Sequence, residues 1–233
     1  MAASPERHEP AEFPTVISLT LGLPRRAASI LCLGAHADDI EIGCSGTVLR
    51  LLAERQDLTV WWIVFSATGE RAREARRSAQ RLLARAHGTE VVVHGFRDGF
   101  FPSLLGDIKE VFEALKGQIE PDLVLTHHAA DRHQDHRVIA ELTWNTFRDH
   151  LVLEYEVPKY DGGLDSPNVF VPLGRGVCRR KIGHLLSAFP SQRSKSWFTE
   201  DTFAGLLRLR GVESASPTGF AEGFHGRKLV VAC

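Results

Sequence analysis

Short apolar runs alternate with segments of helical period along the first two-thirds of the chain, and this alternation restricts the fold more than any other feature. SILCLGA (29–35), LTVWWIVFSA (58–67), TEVVVHGF (89–96), DLVLTHH (122–128) and HLVLEYEVP (150–158) read as strands, being short, apolar and rich in β-branched or aromatic residues. Between them, GTVLRLLAERQ, RAREARRSAQRLLAR (71–85), LGDIKEVFEALKGQIE (105–120) and DHRVIAELTWNTFRD (135–149) repeat apolar residues near the helical period, and Pro121 ends the third. Near-continuous apolar strands separated by helices imply a mostly parallel sheet covered on both faces, a Rossmann-like three-layer α/β fold. In such sheets ligands bind beyond the carboxyl ends of the strands.

The last third is less regular. KYDGGLDSPNVFVPLG (159–174) is turn-rich, RRKIGHLLSAF (179–189) and TEDTFAGLLRLRGV (199–212) read as helices, and RKLVVAC (227–233) reads as a final strand. No repeat and no break in composition marks a second domain, and 233 residues suit one core. Residues 1–14, polar and proline-bearing, read as a flexible N-terminal tail, leaving 15–233 as a single domain.

Formal net charge is −1, so no global basic field draws the chain to nucleic acid or an anionic membrane. The arginine-rich run 71–85 reads as a solvated helix face. Cys32, Cys44, Cys178 and Cys233 form no CxxC pair and read as small packed hydrophobes in a reduced protein. Residues 1–14 lack the apolar core of a signal peptide and no apolar run is long enough to span a bilayer, so the cytoplasm is the default expectation.

Two clusters carry chemistry. His36-Ala37-Asp38-Asp39 closes the first strand, and DRHQDH (131–136) follows the fourth. Alone, each reads as a helix cap or a solvated turn, with Asp38 or Asp39 as the N-cap. Together they say more, because strand-end loops of a parallel sheet converge on one edge. Imidazole and carboxylate are the ligands zinc takes where an open position must hold water, and two His with one Asp leave that position free. The remaining carboxylates then serve as a base and as an orienting partner for a histidine. Like charges gathered at one strand edge repel, and a divalent cation relieves that. Other residues attract the plainer reading: His127 and His128 as satisfied strand-end histidines, with one of them lining the site as the alternative, and Trp61 and Trp62 as core. Gly34, Gly43 and Gly46 read as close packing and a tight turn around the metal loop, since GxGxxG is absent. His225, in AEGFHGRKL, is a candidate substrate contact.

GAHADDIEIGCSGT and HQDH resemble the two signature motifs, AHPDD and HxDH, of the LmbE-like/PIG-L family of zinc-dependent N-acetylglucosaminyl deacetylases. The resemblance extends to the strand order, the GFRDGFF segment and the SQ of FPSQRSKSWF. It implies an LmbE-like fold and removal of an acetyl group from an N-acetylated amino sugar or glycoconjugate. By matching position it implies His36, Asp39 and His136 as metal ligands and Asp38 as general base. It implies His133 as the acid or oxyanion-stabilising histidine, in protonated form, with Asp135 tuning it, and Asp98 near the substrate. Zn2+ is the expected ion, with Fe2+ or another divalent metal compatible with the donor set. The family proline is Ala37 here, which removes no ligand. A homo-oligomer is compatible with the sequence.

Rival readings fit less well. HD-type phosphohydrolases are all-helical. A nucleotide-binding module needs a phosphate loop and an acidic strand end that FSATGE does not provide. A sugar-binding protein without catalysis would not need every chemistry-bearing position filled.

Overall fold

The computed structural model describes residues 21–23 and 27–230; the proposed tail and Cys233 lie outside them. Seven strands form one sheet: β1 (Ser29–His36), β2 (Thr59–Ser66), β3 (Gly88–Val93), β4 (Leu123–His127), β5 (Val152–Tyr155), β6 (Val169–Pro172) and β7 (Ala221–Gly226). Their order is β3-β2-β1-β4-β5-β7-β6. The first five pair in parallel, whereas β7 runs antiparallel to both β5 and β6. The α/β fold with a mostly parallel sheet is therefore as the alternating pattern requires.

Helices α1 (Asp39–Glu54), α2 (Gly69–Leu82), α5 (Arg175–Ala188) and α6 (Glu200–Glu213) accompany one core cluster, which includes Ile30, Trp62, Val64 and Leu125. Helices α3 (Leu105–Gln118) and α4 (Gln134–Thr146) cover the other, which includes Leu31, Leu33, Ile63, Phe65 and Val124. Successive residues of one strand thus feed opposite cores, which is why the strands read as continuous apolar runs. Trp62 is fully buried and Trp61 packs against the second cluster, as core residues. Cys32, Cys44 and Cys178 are buried free thiols.

Two expectations change. The glycine-rich stretch after β1 is not a turn but the first half of α1. Its glycines serve close approach: a Cβ on Gly43 would clash with one edge of the Tyr155 ring, and one on Gly46 would lie 2.5 Å from Leu173 Cδ1 and 2.7 Å from Glu222 Oε1. The final strand is AEGFHG, not RKLVVAC; among the described residues, 227–230 are not strand. The polar Glu222 can be buried in β7 because Lys181 Nζ lies 2.5 Å from its Oε1, while the amides of Gly46 and Thr47 donate to its carboxylate.

Candidate active site

The chain steps outward from β1 through β2 to β3, then returns to the other side of β1 with β4. The sheet order therefore reverses between β1 and β4, and a crevice opens beyond their carboxyl ends. Both motifs lie there. His36 is the last residue of β1 and Asp39 the first of α1; Asp131 to His136 run from the β4–α4 loop into the first turn of α4. Asp38 occupies the N-cap position of α1, and His133 that of α4, yet neither side chain makes a capping bond. The cap reading of Asp38 thus gives way to a different use of its carboxylate.

Three donor atoms converge. His36 Nδ1 lies 3.2 Å from Asp39 Oδ2 and 3.2 Å from His136 Nε2, and Asp39 Oδ2 lies 3.4 Å from His136 Nε2. Ligands about 2.0–2.1 Å from a tetrahedral centre stand about 3.3 Å apart, which matches this triangle. The neighbours fix what each atom offers. His136 Nδ1 is 3.0 Å from Asp131 Oδ2, so its proton belongs there and the Nε2 lone pair faces the triangle. His36 Nε2 lies 3.3 Å from Asp135 Oδ2 and 3.0 Å from Asp98 Oδ1, which likewise turns the Nδ1 lone pair inward. Asp39 Oδ2 also accepts the His36 amide at 2.6 Å. Three converging lone pairs repel unless a cation or protons lie among them.

The titration of the two histidines expresses the same demand. Burial works against a charged His36, but Asp39, Asp135 and Asp98 outweigh it and raise its pKa well above the usual value. His136 is raised as well, burial being overcome by Asp39 and Asp131. Every grouping of three or more metal-capable donors among the described residues falls in this cluster: His36 with His133 and His136, Asp39 with His127 and His136, and His36 with Asp98 and Asp135.

His127 enters the cluster although it reads as an ordinary strand-end residue. Its Nε2 accepts the Ala35 amide at 2.9 Å, so that lone pair is already engaged, and its ring stacks on His136 at 3.8 Å. Burial and His136 depress its pKa to about 3, which keeps it neutral. It buttresses the ligand ring more readily than it completes the triangle.

Asp38 is buried beside the triangle. Its Oδ1 meets Arg71 Nη2 at 2.5 Å, while its Oδ2 has no hydrogen-bond partner. A buried carboxylate oxygen without a partner is rare and marks a place where a reactant fits. His133 stands edge-on to His36, with ring centroids 4.9 Å apart, and its Nδ1 is likewise unpartnered. Burial, with His136 and His36, lowers the pKa of His133 against the opposing pull of Asp135 and Asp39.

Asp135 raises the pKa of His133 through its charge, in the direction of the tuning that the resemblance implies. It contacts His36, and its carboxylate accepts the Gly99 and Phe101 amides at 2.6 Å and 3.1 Å; no hydrogen bond links it to His133. Asp98 stands at the mouth, 73% exposed. His225 stacks on His128 with ring centroids 3.7 Å apart, and His128 bonds to Glu154. The structure does not bring His225 into contact with the triangle. The acidic clusters are also less naked than the motifs suggest, since Arg71 serves Asp38 and Lys159 Nζ meets Asp131 Oδ2 at 2.7 Å. Arg71 and Lys159 are the residues whose parts here are not legible in the motifs.

Residues 31–147 match the family described as PIG-L: GlcNAc-PI de-N-acetylase. An uncharacterized deacetylase, YaiS of Escherichia coli K12, is 30% identical over 148 residues, spanning 60% of this chain and 80% of its own. The fold resembles that of the N,N'-diacetylchitobiose deacetylase of Pyrococcus horikoshii (TM-score 0.64, 18% identity, 86% of this chain and 84% of that one). It also resembles a 4-carboxy-2-hydroxymuconate hydratase from Pseudomonas putida KT2440 (TM-score 0.66, 18% identity, 88% and 98%). Likeness at that identity speaks for the fold alone, and the same fold hosts hydration as well as deacetylation. The match across both site motifs, with the deacetylase relative, places this chain in the PIG-L family of deacetylases.

Proposed function

We propose that this protein is a divalent-metal-dependent hydrolase that removes the acetyl group from an N-acetylated amino sugar or its conjugate. The observation that carries the reading is the triangle of inward lone pairs beside one buried, unpartnered oxygen of Asp38. The family, described as GlcNAc-PI de-N-acetylase, supports both the acetyl group as the one removed and an amino sugar as its carrier. His36, Asp39 and His136 would hold the ion, with zinc the first choice for such a set and Fe2+ the second. A divalent ion held by these residues would lower the pKa of water and polarise the acetamido carbonyl.

The rest falls to the chain. Arg71 holds Asp38 Oδ1, so Oδ2 is the oxygen that takes the water proton as the new carbon–oxygen bond forms. His133, whose Nδ1 has no partner, donates a hydrogen bond to the carbonyl oxygen as negative charge develops. Asp38 then returns the proton to the nitrogen as the carbon–nitrogen bond breaks, leaving the free amine and acetate.

The test is acetate release from N-acetylglucosamine, its glycosides and its nucleotide conjugates by metal-loaded protein. Asp38→Asn should keep metal and lose roughly 10²- to 10⁴-fold in turnover, whereas His136→Ala should lose metal. A wild-type rate from fully loaded Asp38→Asn refutes the base. No acetate from any of these compounds refutes deacetylation of amino sugars.

A further inference from the structure

Arg71 and Glu74, three residues apart on α2, share one face of the helix. Glu74 is fully buried. A buried carboxylate needs donors and a counter-charge, and Glu74 has both. Its Oε1 accepts the Ser191 amide at 3.0 Å and its Oε2 accepts the Ser191 hydroxyl at 2.6 Å, while Arg71 Nη1 lies 3.3 Å from Oε2. Ser191 Oγ in turn accepts Arg71 Nη1 at 3.4 Å and Gln192 Nε2 at 3.2 Å. The Phe189 ring adds a further contact, its centroid 5.5 Å from Arg71 Cζ. Ser191 and Gln192 are the SQ of FPSQRSKSWF, in a short 3-10 turn (Pro190–Gln192) that follows α5.

The two terminal nitrogens of Arg71 therefore have different partners. Nη2 meets Asp38 Oδ1 at 2.5 Å, and Nη1 meets Glu74 and Ser191. A guanidinium is planar, so fixing both nitrogens fixes its plane and the direction in which Nη2 donates. Held by Asp38 alone, Arg71 would keep much of the rotational freedom of a long, half-buried side chain, and the Asp38 carboxylate would turn with it. With Nη1 tied, Oδ1 stays engaged and Oδ2 stays the oxygen without a partner.

We propose that Glu74 and Ser191 are positioning residues that clamp the Arg71 guanidinium, so that the turn after α5 holds the Asp38 carboxylate in its working orientation through Arg71. The proposal rests on Asp38 as the base. Its test joins a reading of Arg71 itself to a reading of turnover. The guanidinium NMR signals of Arg71, assigned by comparison with Arg71→Lys, are recorded on the full chain with and without zinc. Acetate release from N-acetylglucosamine and its glycosides is measured on the zinc-loaded protein.

In the wild type, slow rotation about the Cζ–Nε bond should give separate signals for Nη1 and Nη2. Glu74→Gln and Ser191→Ala should average them, and Ser191→Thr, which keeps the hydroxyl, should restore them. Each of the two disrupting variants should lower kcat by roughly three- to tenfold while KM and metal affinity stay within about twofold. In an Arg71→Met background the same substitutions should cost less than about twofold more, because the clamp acts through the side chain already removed. Ser191 is only half-buried, so Ser191→Ala decides the matter if Glu74→Gln does not fold. Averaged signals in the wild type, separate signals retained in the folded variants, or equal losses of kcat in both backgrounds overturn the clamp. Signals that behave as expected, without acetate release from the wild type, keep the clamp and refute the deacetylase reading instead.

Discussion

Asp131 offers the sharpest test of how the ligand set is held. Its Oδ2 takes the His136 Nδ1 proton at 3.0 Å and the Lys159 ammonium at 2.7 Å, in a side chain that is almost fully buried. Burial raises its pKa, but His136 and Lys159 outweigh burial and hold the carboxyl below the usual range, so it is ionised. Asp131→Asn keeps the shape and one acceptor but removes the charge. The bond to His136 then falls from charge-assisted, worth about 1.5–3 kcal/mol, to neutral, worth about 0.5–1.5 kcal/mol. The difference, about 1–1.5 kcal/mol, corresponds to roughly a tenfold loss in metal affinity, at the lower end of the 10- to 100-fold typical of such outer partners. Competition against a chromophoric chelator measures this directly on the purified protein. Affinity within twofold of wild type, with the fold intact by circular dichroism, would refute the claim that Asp131 orients His136.

Two further outcomes follow from the electrostatics. Metal affinity should rise with pH, because the ion must displace protons that Asp39 and its neighbours hold on His36 and His136 at raised pKa; below those pKa values the gain should approach about one to two log units per pH unit, and a flat profile from pH 6 to 8 refutes the shifts. Arg71→Met should move the acid limb of the kcat/KM profile to higher pH. Arg71 lowers the Asp38 pKa, and a base must be deprotonated to act, so losing the cation raises the pH at which activity appears; an unmoved limb separates Arg71 from the base.

The sheet was legible because strands buried on both faces carry no alternation to be misread and helices of clear period separate them. The C-terminal third was not. RKLVVAC has the composition of a strand but is not one among its described residues, whereas AEGFHG is a strand whose Glu222 is tolerated only because Lys181, from α5, reaches it. That compensation is a contact between elements, and local sequence does not record it. The site divides in the same way. His36, Asp39 and His136 announce themselves because ligand chemistry is concentrated in two short motifs at strand ends. Arg71 does not, since it belongs to an arginine-rich run whose other members face solvent, and only its place at the start of α2 turns it toward Asp38. Lys159 sits in a turn-rich stretch with no pattern at all.

The electrostatics separate Asp38 and Asp39 on physical grounds independent of any motif. Both are buried, and burial alone raises a carboxyl pKa. For Asp39 the nearby His136, His36 and His127 overcome it, and the pKa falls well below the usual range, which suits a permanently ionised ligand. For Asp38 burial is only partly offset by Arg71, and Asp39 adds repulsion, so the pKa is raised. Glu41, one turn further along α1, is pushed up to about 8 by burial and so stays largely neutral, sparing Asp38 a second negative neighbour at neutral pH. Adjacent carboxyl groups driven in opposite directions suit different tasks, in line with the proposed mechanism: the depressed one would hold a cation, and the raised one would exchange a proton. Asp38→Glu sharpens the point. It retains a carboxyl but displaces the free oxygen by a methylene, so it should keep metal and a titrating acid limb while losing most of kcat. Full activity in that variant would show that the position of Oδ2, and hence the proton transfer assigned to it, does not matter.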